Sequence, residues 1–471
     1  MKLTLKPQPG EDYQKWLVLS AIGASTFMTA LDTSVVNTVL PVIRAAFESD
    51  VATIEWVVTI YLLVVSGLLL SFGRLGDLRG HKPVFLLGFS IFIFSSALCG
   101  FSPSAGALIA FRGLQAFGAA MLAANSPAIL TKSFPASQRG QALGLQATMT
   151  YLGLSIAPSF GGWLTDWLSW RAVFYINVPV GLLAFWLSAR FIPRDKPGER
   201  AERFDFLGAS LFMTGLVVLL FALNQGHAWG WVSPPILGLL IAAISLLTAF
   251  VVVETRRPNP MLDLSLFNNR VFSASVASAV LNYMALFSIL FLLPFYLLQG
   301  RGLTPSQAGL ILTAQPILMA IVAPISGTLS DRIGVQLPSV IGMAILGAGL
   351  FMLSRLGPDS SLWSVALALG ISGLGTGTFI SPNNSALMGS APRYRQGIAA
   401  GILATARSVG MVLGIGLSGA IFTTVMANSQ SSAALFTATQ ASFLAASALA
   451  ALGVLTSAIR GVERYPLRVE R

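Results

Sequence analysis

Apolar segments of about 20 residues recur along almost the whole chain, separated by short polar connections. That is the length a helix needs to cross a bilayer's hydrocarbon core. Inside that core every backbone N–H and C=O must be satisfied within the protein, so repeated apolar runs of this length dictate helices. Fourteen are read, at 16–41, 54–73, 84–103, 106–130, 140–164, 172–191, 206–224, 234–253, 271–298, 306–328, 337–354, 362–388, 397–422 and 439–459. Gly226, Trp229, Gly230, Trp231, Pro234 and Pro235 crowd the connection between the seventh and eighth. The expected fold class is an all-α polytopic membrane protein. Only 10% of the residues are charged, against about 25% in soluble domains. The first run, Trp16 to Pro41, is too long for a secretory h-region and reads as a retained span.

The net charge of +11 has a topological origin. With fourteen spans both termini lie on one side, and that side carries 23 of the Lys and Arg residues. The opposite loops carry four, Arg44, Arg171, Arg301 and Arg355, and two, Arg112 and Arg407, fall inside spans. By the positive-inside rule both termini are expected in the cytoplasm of a cell with the chain in its cell (plasma or inner) membrane. No loop carries a basic run suited to nucleic acid. Cys99 is the single cysteine, so no intrachain disulfide forms, and His81 and His227 lie outside the spans, leaving no side-chain set for zinc or haem.

The chain repeats itself. GRLGDLRGHK at Gly73–Lys82 returns as GTLSDRIGVQ at Gly327–Gln336, and Leu40-Pro41 returns as Leu293-Pro294. Gly118 with Asn125-Ser126 returns as Gly377 with Asn384-Ser385, and Arg139-Gly140 with Gly144 resembles Arg395-Gln396-Gly397 with Gly401. Matches in one order at nearly one offset argue for two homologous six-span halves, 1–191 and 271–471. A charged linker and two inserted spans occupy 192–270. Parallel halves of this kind are a transporter signature, with substrate held between them near the midplane.

Asp32 is the one acidic residue well inside a span. A carboxylate in hydrocarbon is costly and by default functional; the alternative is a structural carboxylate bonded to a neighbouring helix. No Ser/His/Asp or metal constellation points to an enzyme, and no Walker A sequence points to ATP drive.

Five motifs in order resemble the fourteen-helix drug:proton antiporter branch of the major facilitator superfamily, which includes multidrug and quaternary ammonium compound exporters. They are LDTSVVNTVLP at Leu31–Pro41, the loop motif at Gly73–Lys82, LIAFRGLQAFGAA at Leu108–Ala120, GLSIAPSFGG at Gly153–Gly162 and WRAVFYINVPVG at Trp170–Gly181. Ala116 and Ala157 replace usual glycines, Leu78 stands where a basic residue is common, and His81 where arginine is. The resemblance implies a major facilitator fold with proton-driven efflux and antibiotic resistance. It also implies that Gly153, Pro158, Gly161 and Gly162 mark an exporter, and that Gly73, Arg74, Asp77, Gly80 and Lys82 lock one state. Asp331 with Arg332 repeats a weaker version of the lock.

Arg112 lies about 9 Å into the fourth span and Asp32 about 13 Å from the outer end of the first, by the helical rise. The two charges are therefore expected at similar depth. With an offset of 259, Arg112 falls opposite Ile371, so the pair belongs to the first half alone. Asp32 is expected to take up the proton, with Arg112, and Gln115 a turn away, opposing protonation and releasing it; a static buried ion pair is the other reading. Glu55, beside Trp56, is either an outer proton acceptor or an interfacial carboxylate.

Candidate substrate residues are Asp32, Asn37, Gln115, Asn125, Asn282, Tyr283, Phe287, Gln315 and Asn384, a mostly apolar pocket with few polar anchors. No carboxylate sits within a span of the second half, which disfavours dications and leaves monovalent cations, neutral lipophiles and amphiphilic anions. The expected function is antiport of a small, bulky amphiphile against protons by a monomer in the lipid bilayer. No cofactor is expected beyond the proton gradient. Export of one endogenous metabolite or lipid is the alternative, and an uptake symporter a further one.

Overall fold

The computed structural model describes residues 9–49, 51–194, 204–256, 262, 264–303, 305–428 and 434–460. Among these the chain is all helix and connection, with no strand. The helices are α1 (Pro9–Ala46), α2 (Val51–Arg79), α3 (His81–Phe101), α4 (Ala105–Ser133), α5 (Arg139–Trp167), α6 (Ala172–Tyr175), α7 (Asn177–Phe191), α8 (Phe206–Trp229) and α9 (Pro234–Arg256). There follow α10 (Arg270–Pro294), α11 (Pro305–Leu312), α12 (Ala314–Ile333), α13 (Gln336–Leu353), α14 (Leu362–Ser390), α15 (Gln396–Asn428) and α16 (Ala434–Ala458). Most of the charged linker, 195–203, lies outside the described residues.

Thirteen spans qualify by length and apolarity among the described residues. The expected segment at 140–164 is the one left out. Its helix α5 has 29 residues, but Gln141, Gln146, Thr148, Thr150 and Thr165 dilute its apolar surface. Two expected segments are each broken in two. The span at 172–191 is α6 followed directly by α7, and that at 306–328 is α11 followed by α12.

Two compact units emerge: 1–204 with 392–401, and 205–391 with 402–471. The inserted helices α8 and α9 pack on each other and fall in the second unit. In the first unit α1 packs on α5 and α4 on both α2 and α3; in the second α14 packs on both α12 and α13.

The internal repeat is visible in local chemistry. Gly80 (φ 91°) and Gly334 (φ 89°) each turn the chain between two helices with a backbone that only glycine adopts at low cost. Ser104 caps α4 by accepting from Ala107 N, and Ser361 caps α14 by accepting from Ser364 N. The short 3-10 turns Ala136–Gln138 and Arg393–Arg395 precede α5 and α15. A Cβ on Gly118 would sit 2.6 Å from Gly88 O, and one on Gly375 2.7 Å from Gly342 O, so both helix pairs cross with backbones touching. The pairs Ser104/Ser361, Gly118/Gly375 and Ala136/Arg393 set the repeat from α4 onward at 257 residues, not 259, while Gly80/Gly334 before it stand 254 apart. Gly118 pairs with Gly375, and Arg112 falls opposite Leu369 rather than Ile371. The counterpart remains apolar, so the arginine belongs to the first half alone.

Candidate functional site

Asp32 and Arg112 meet in the core of the first unit. Both are 1% exposed, enclosed by Leu31, Val35, Val57, Leu108 and Phe174. Arg112 Nη1 lies 2.7 Å from Asp32 Oδ2. The same nitrogen donates to Gln115 Oε1 at 2.7 Å, and Arg112 Nε donates to the Val57 carbonyl at 3.3 Å. The guanidinium carbon stands 4.1 Å from the centre of the Tyr61 ring, a cation–π contact out of water's reach. Asp32 Oδ1 accepts from Gln115 Nε2 at 3.2 Å and from Asn177 Nδ2 at 2.7 Å. Asn177 also donates to Ser96 Oγ at 3.1 Å, and Ser96 Oγ donates to Phe174 O at 2.9 Å.

Buried charges cost several kcal/mol each unless every lone pair and proton is used. Six helices, α1, α2, α3, α4, α6 and α7, supply the network here. Position sets the chemistry: Arg112 and Gln115 are one turn apart on α4 and so share a face, and Asn177 opens α7. Asn177 is the member that sequence reasoning missed. It lies in the quoted WRAVFYINVPVG stretch, about 8 Å into the sixth span by the helical rise, so the depth argument used for Asp32 and Arg112 applied to it too.

A second cluster surrounds the loop motif. Asp77 accepts from the backbone N–H groups of Gly397 and Ile398 at 2.8 and 2.9 Å. It thereby satisfies two of the orphan donors at the N-terminus of α15 and faces the positive end of that helix. Gly73 lies against this turn, where a Cβ would sit 2.2 Å from Gly397 O. His81 places Nε2 3.5 Å from Asp77 Oδ1 and Nδ1 2.8 Å from Asn125 Oδ1. Lys82 donates to the carbonyls of Ala189 and Ile192 at 2.8 and 2.5 Å, capping the end of α7. Arg74 is buried. Asp331, the repeat counterpart of Asp77, sits half-buried in the last turn of α12.

The α5 motif packs in part. A Cβ on Gly153 would meet Phe27 O at 2.8 Å, and one on Gly161 would meet Val35 Cγ1 at 2.8 Å, so α5 lies tight on α1. Gly162 differs: nothing stands within 4 Å of its Cβ position. The helix continues through Pro158, whose side chain, like that of Glu55, is outside the described residues.

Within each unit the expected substrate residues have different local surroundings. Asp32 and Gln115 spend their polar atoms on the ion-pair network. Asn37 is exposed, because five residues carry it about 140° around α1 from Asp32. Asn125 belongs to the loop cluster: its Oδ1 accepts from His81 Nδ1, and its Nδ2 donates to Phe72 O and Met121 O. Thirteen residues of α4, about 20 Å, separate it from Arg112. Asn282 is fully buried and turns its Nδ2 to Met343 Sδ at 3.4 Å, a helix-packing contact. Gln315 is buried on α12, where a Cβ on Gly373 would meet its backbone O at 2.5 Å. Tyr283, Phe287 and Asn384 are half-buried in the second unit.

Arg407, on α15, has its guanidinium carbon 5.7 Å from the centre of the Tyr283 ring. Arg460, just past α16, is buried with Ser339 Oγ 3.2 Å away and Asn383 Oδ1 as its second acceptor. Burial pulls its guanidinium down to about 9. A cavity of about 290 Å³ lined by Met343, Gly347, Phe351, Ser447 and Val454 carries no charged group and includes none of the candidate residues. Among the described residues no group of His, Cys, Asp and Glu is arranged to hold a metal ion.

The chain is 35% identical to the riboflavin transporter RibZ of Clostridioides difficile over 87% of its length and 88% of that protein's. It is 34% identical to the multidrug resistance protein Stp of Mycobacterium tuberculosis, over 86% of this chain and 75% of the other. Its fold matches the crystal structure of the human organic anion transporter MFSD10 with a TM-score of 0.69 at 16% identity, covering 96% of this chain and all of that one. The Major Facilitator Superfamily model matches residues 22–258 and 275–470. Taken with the helical fold and its internal repeat, this means that the chain belongs to the Major Facilitator Superfamily and is a multi-pass membrane transporter rather than an enzyme.

Proposed function

We propose that the protein is a proton-driven secondary exporter of bulky amphiphilic compounds, acting as a monomer in the cell membrane with both termini in the cytoplasm. The buried Asp32–Arg112–Gln115–Asn177 network carries this reading. Protonation of Asp32 removes the charge that Arg112 pairs with and leaves the guanidinium to Gln115 and the Val57 carbonyl. A proton at one carboxylate is thereby tied to the mutual positions of α1, α4 and α7. Alternating access uses that link, with the proton gradient as energy source and no cofactor. Asp77 at the start of α15 and the tight α1–α5 contact at Gly153 and Gly161 serve as the contacts that one state makes and the other breaks. Similarity to a multidrug resistance protein supports the broad-substrate form of the reading.

The test is transport in proteoliposomes under an imposed pH gradient, with a fluorescent amphiphile as substrate. Wild type is expected to move it only with the gradient. Asp32→Asn should abolish gradient-driven movement and leave substrate binding in place. Transport that survives this substitution makes Asp32 structural and ends the proposal for that residue.

Similarity to a riboflavin transporter favours a second reading, carriage of one metabolite by the same machinery. A panel of unrelated amphiphiles, all refused while a single metabolite is carried, would select it.

A further inference from the structure

Arg407 is a cation without a counter-ion among the described residues. It lies eleven residues into the 33-residue helix α15, about 17 Å from the helix start by the helical rise, and so well within the span. It is half-buried. Its contact with the Tyr283 ring, at 5.7 Å, is its one polar or ring contact among the described residues, and it makes no ion pair there. The described carboxylates of the second unit are all elsewhere. Asp205 caps α8, Glu254 closes α9 against Leu262 N, Asp331 ends α12, and Asp359 is in the loop before α14.

The packing around Arg407 is specific. One turn further along α15, a Cβ on Gly410 would sit 2.6 Å from Val280 O and 2.9 Å from Tyr283 Cβ; on Gly414 it would sit 2.3 Å from Met284 O. The backbones of α15 and α10 therefore touch just above the arginine, and this contact fixes Tyr283 beside it. An aromatic face and five N–H donors in a planar fork are presented together, at a depth where a lone charge is expensive. A guanidinium is the side chain best suited to bidentate contact with a carboxylate or another planar anion.

We infer that Arg407 and Tyr283 form the anchor for the acidic group of an aromatic organic anion, so that the transported class includes planar aromatic acids. This rests on the exporter reading above and deepens it by naming the charge of the substrate. The substrate supplies the negative charge that α15 lacks, and Tyr283 stacks beside the ring that bears it.

Two xanthene dyes of similar shape and opposite charge separate the possibilities: fluorescein, an anion, and rhodamine 123, a cation. Binding is followed by anisotropy with the full-length protein in nanodiscs of zwitterionic lipid, without a pH gradient. Wild type should bind fluorescein more tightly than rhodamine 123. Arg407→Gln should weaken fluorescein by at least about tenfold, the loss of a charge-assisted hydrogen bond. It should change rhodamine 123 by less than about twofold. Arg407→Lys, which keeps the charge without the fork, should recover part of the loss. An equal loss for both dyes would make Arg407 a packing residue and overturn the inference, as would unchanged fluorescein affinity in Arg407→Gln or a wild type that does not bind fluorescein. The exporter reading is judged separately. Gradient-driven export of rhodamine 123 without fluorescein binding removes only the anion anchor; fluorescein binding without gradient-driven transport of either dye removes only the proton-driven export.

Discussion

The two intramembrane arginines stand in opposite electrostatic conditions. Arg112 has a carboxylate at 2.7 Å, an amide, a carbonyl and an aromatic face, and is sealed from solvent. Arg407 has an aromatic ring and nothing else of opposite polarity among the described residues, and is only half-buried. A charge that is fully compensated inside the protein has spent its energy on structure, and moves only when its partner changes protonation. A charge left uncompensated is held ready for something that arrives. Similar residues on repeat-related scaffolds thus suit different tasks, which we propose to be a proton in one half and a substrate in the other.

The largest effect should come from breaking the compensated site. Arg112→Gln leaves Asp32 buried without its cation, at a cost of about 3–5 kcal/mol, read as a fall in the thermal unfolding midpoint in detergent. Adding Asp32→Asn to it should restore most of that stability; a double variant no better than the single would deny the pair its coupling. Next is Asn177→Ala, which takes one donor from Asp32 and another from Ser96 and should lower stability by about 1.5–3 kcal/mol, as for hydrogen bonds to charged groups. Asp77→Asn weakens the hold on the start of α15 and should cost about 0.5–2 kcal/mol by the usual worth of a helix N-cap. Hydrogen exchange at the Gly397 and Ile398 amides should then speed up more than exchange elsewhere in α15. The smallest effect is expected at the uncompensated site: Arg407→Gln strands no buried partner, so the unfolding midpoint should stay level or rise. A large drop there would mean that Arg407 carries structural load like Arg112, and the contrast between the two would fail.

Much of this was written in the order of residues. The apolar runs fixed an all-helical membrane protein because hydrocarbon leaves the backbone no other way to satisfy itself. The repeated loop and glycine motifs declared two related halves, and counting the helical rise brought Asp32 and Arg112 to one depth before any contact was known. Depth, however, is one coordinate, and the angle around each helix is set by packing. Asn177 enters the network because α6 ends and α7 begins at that point. Asn125 and Asn282 turn amide groups to His81 and Met343, contacts that depth alone does not give. Tertiary structure also moved the repeat register by two residues, through caps and glycine crossings that no short string match resolves. Sequence by itself thus determined the fold class, the repeat and the charged residues that hydrocarbon would make costly. Only the packing of helices decided which of those charges are paid off internally and which remain open, because compensation depends on distances of a few ångströms between segments far apart in the chain.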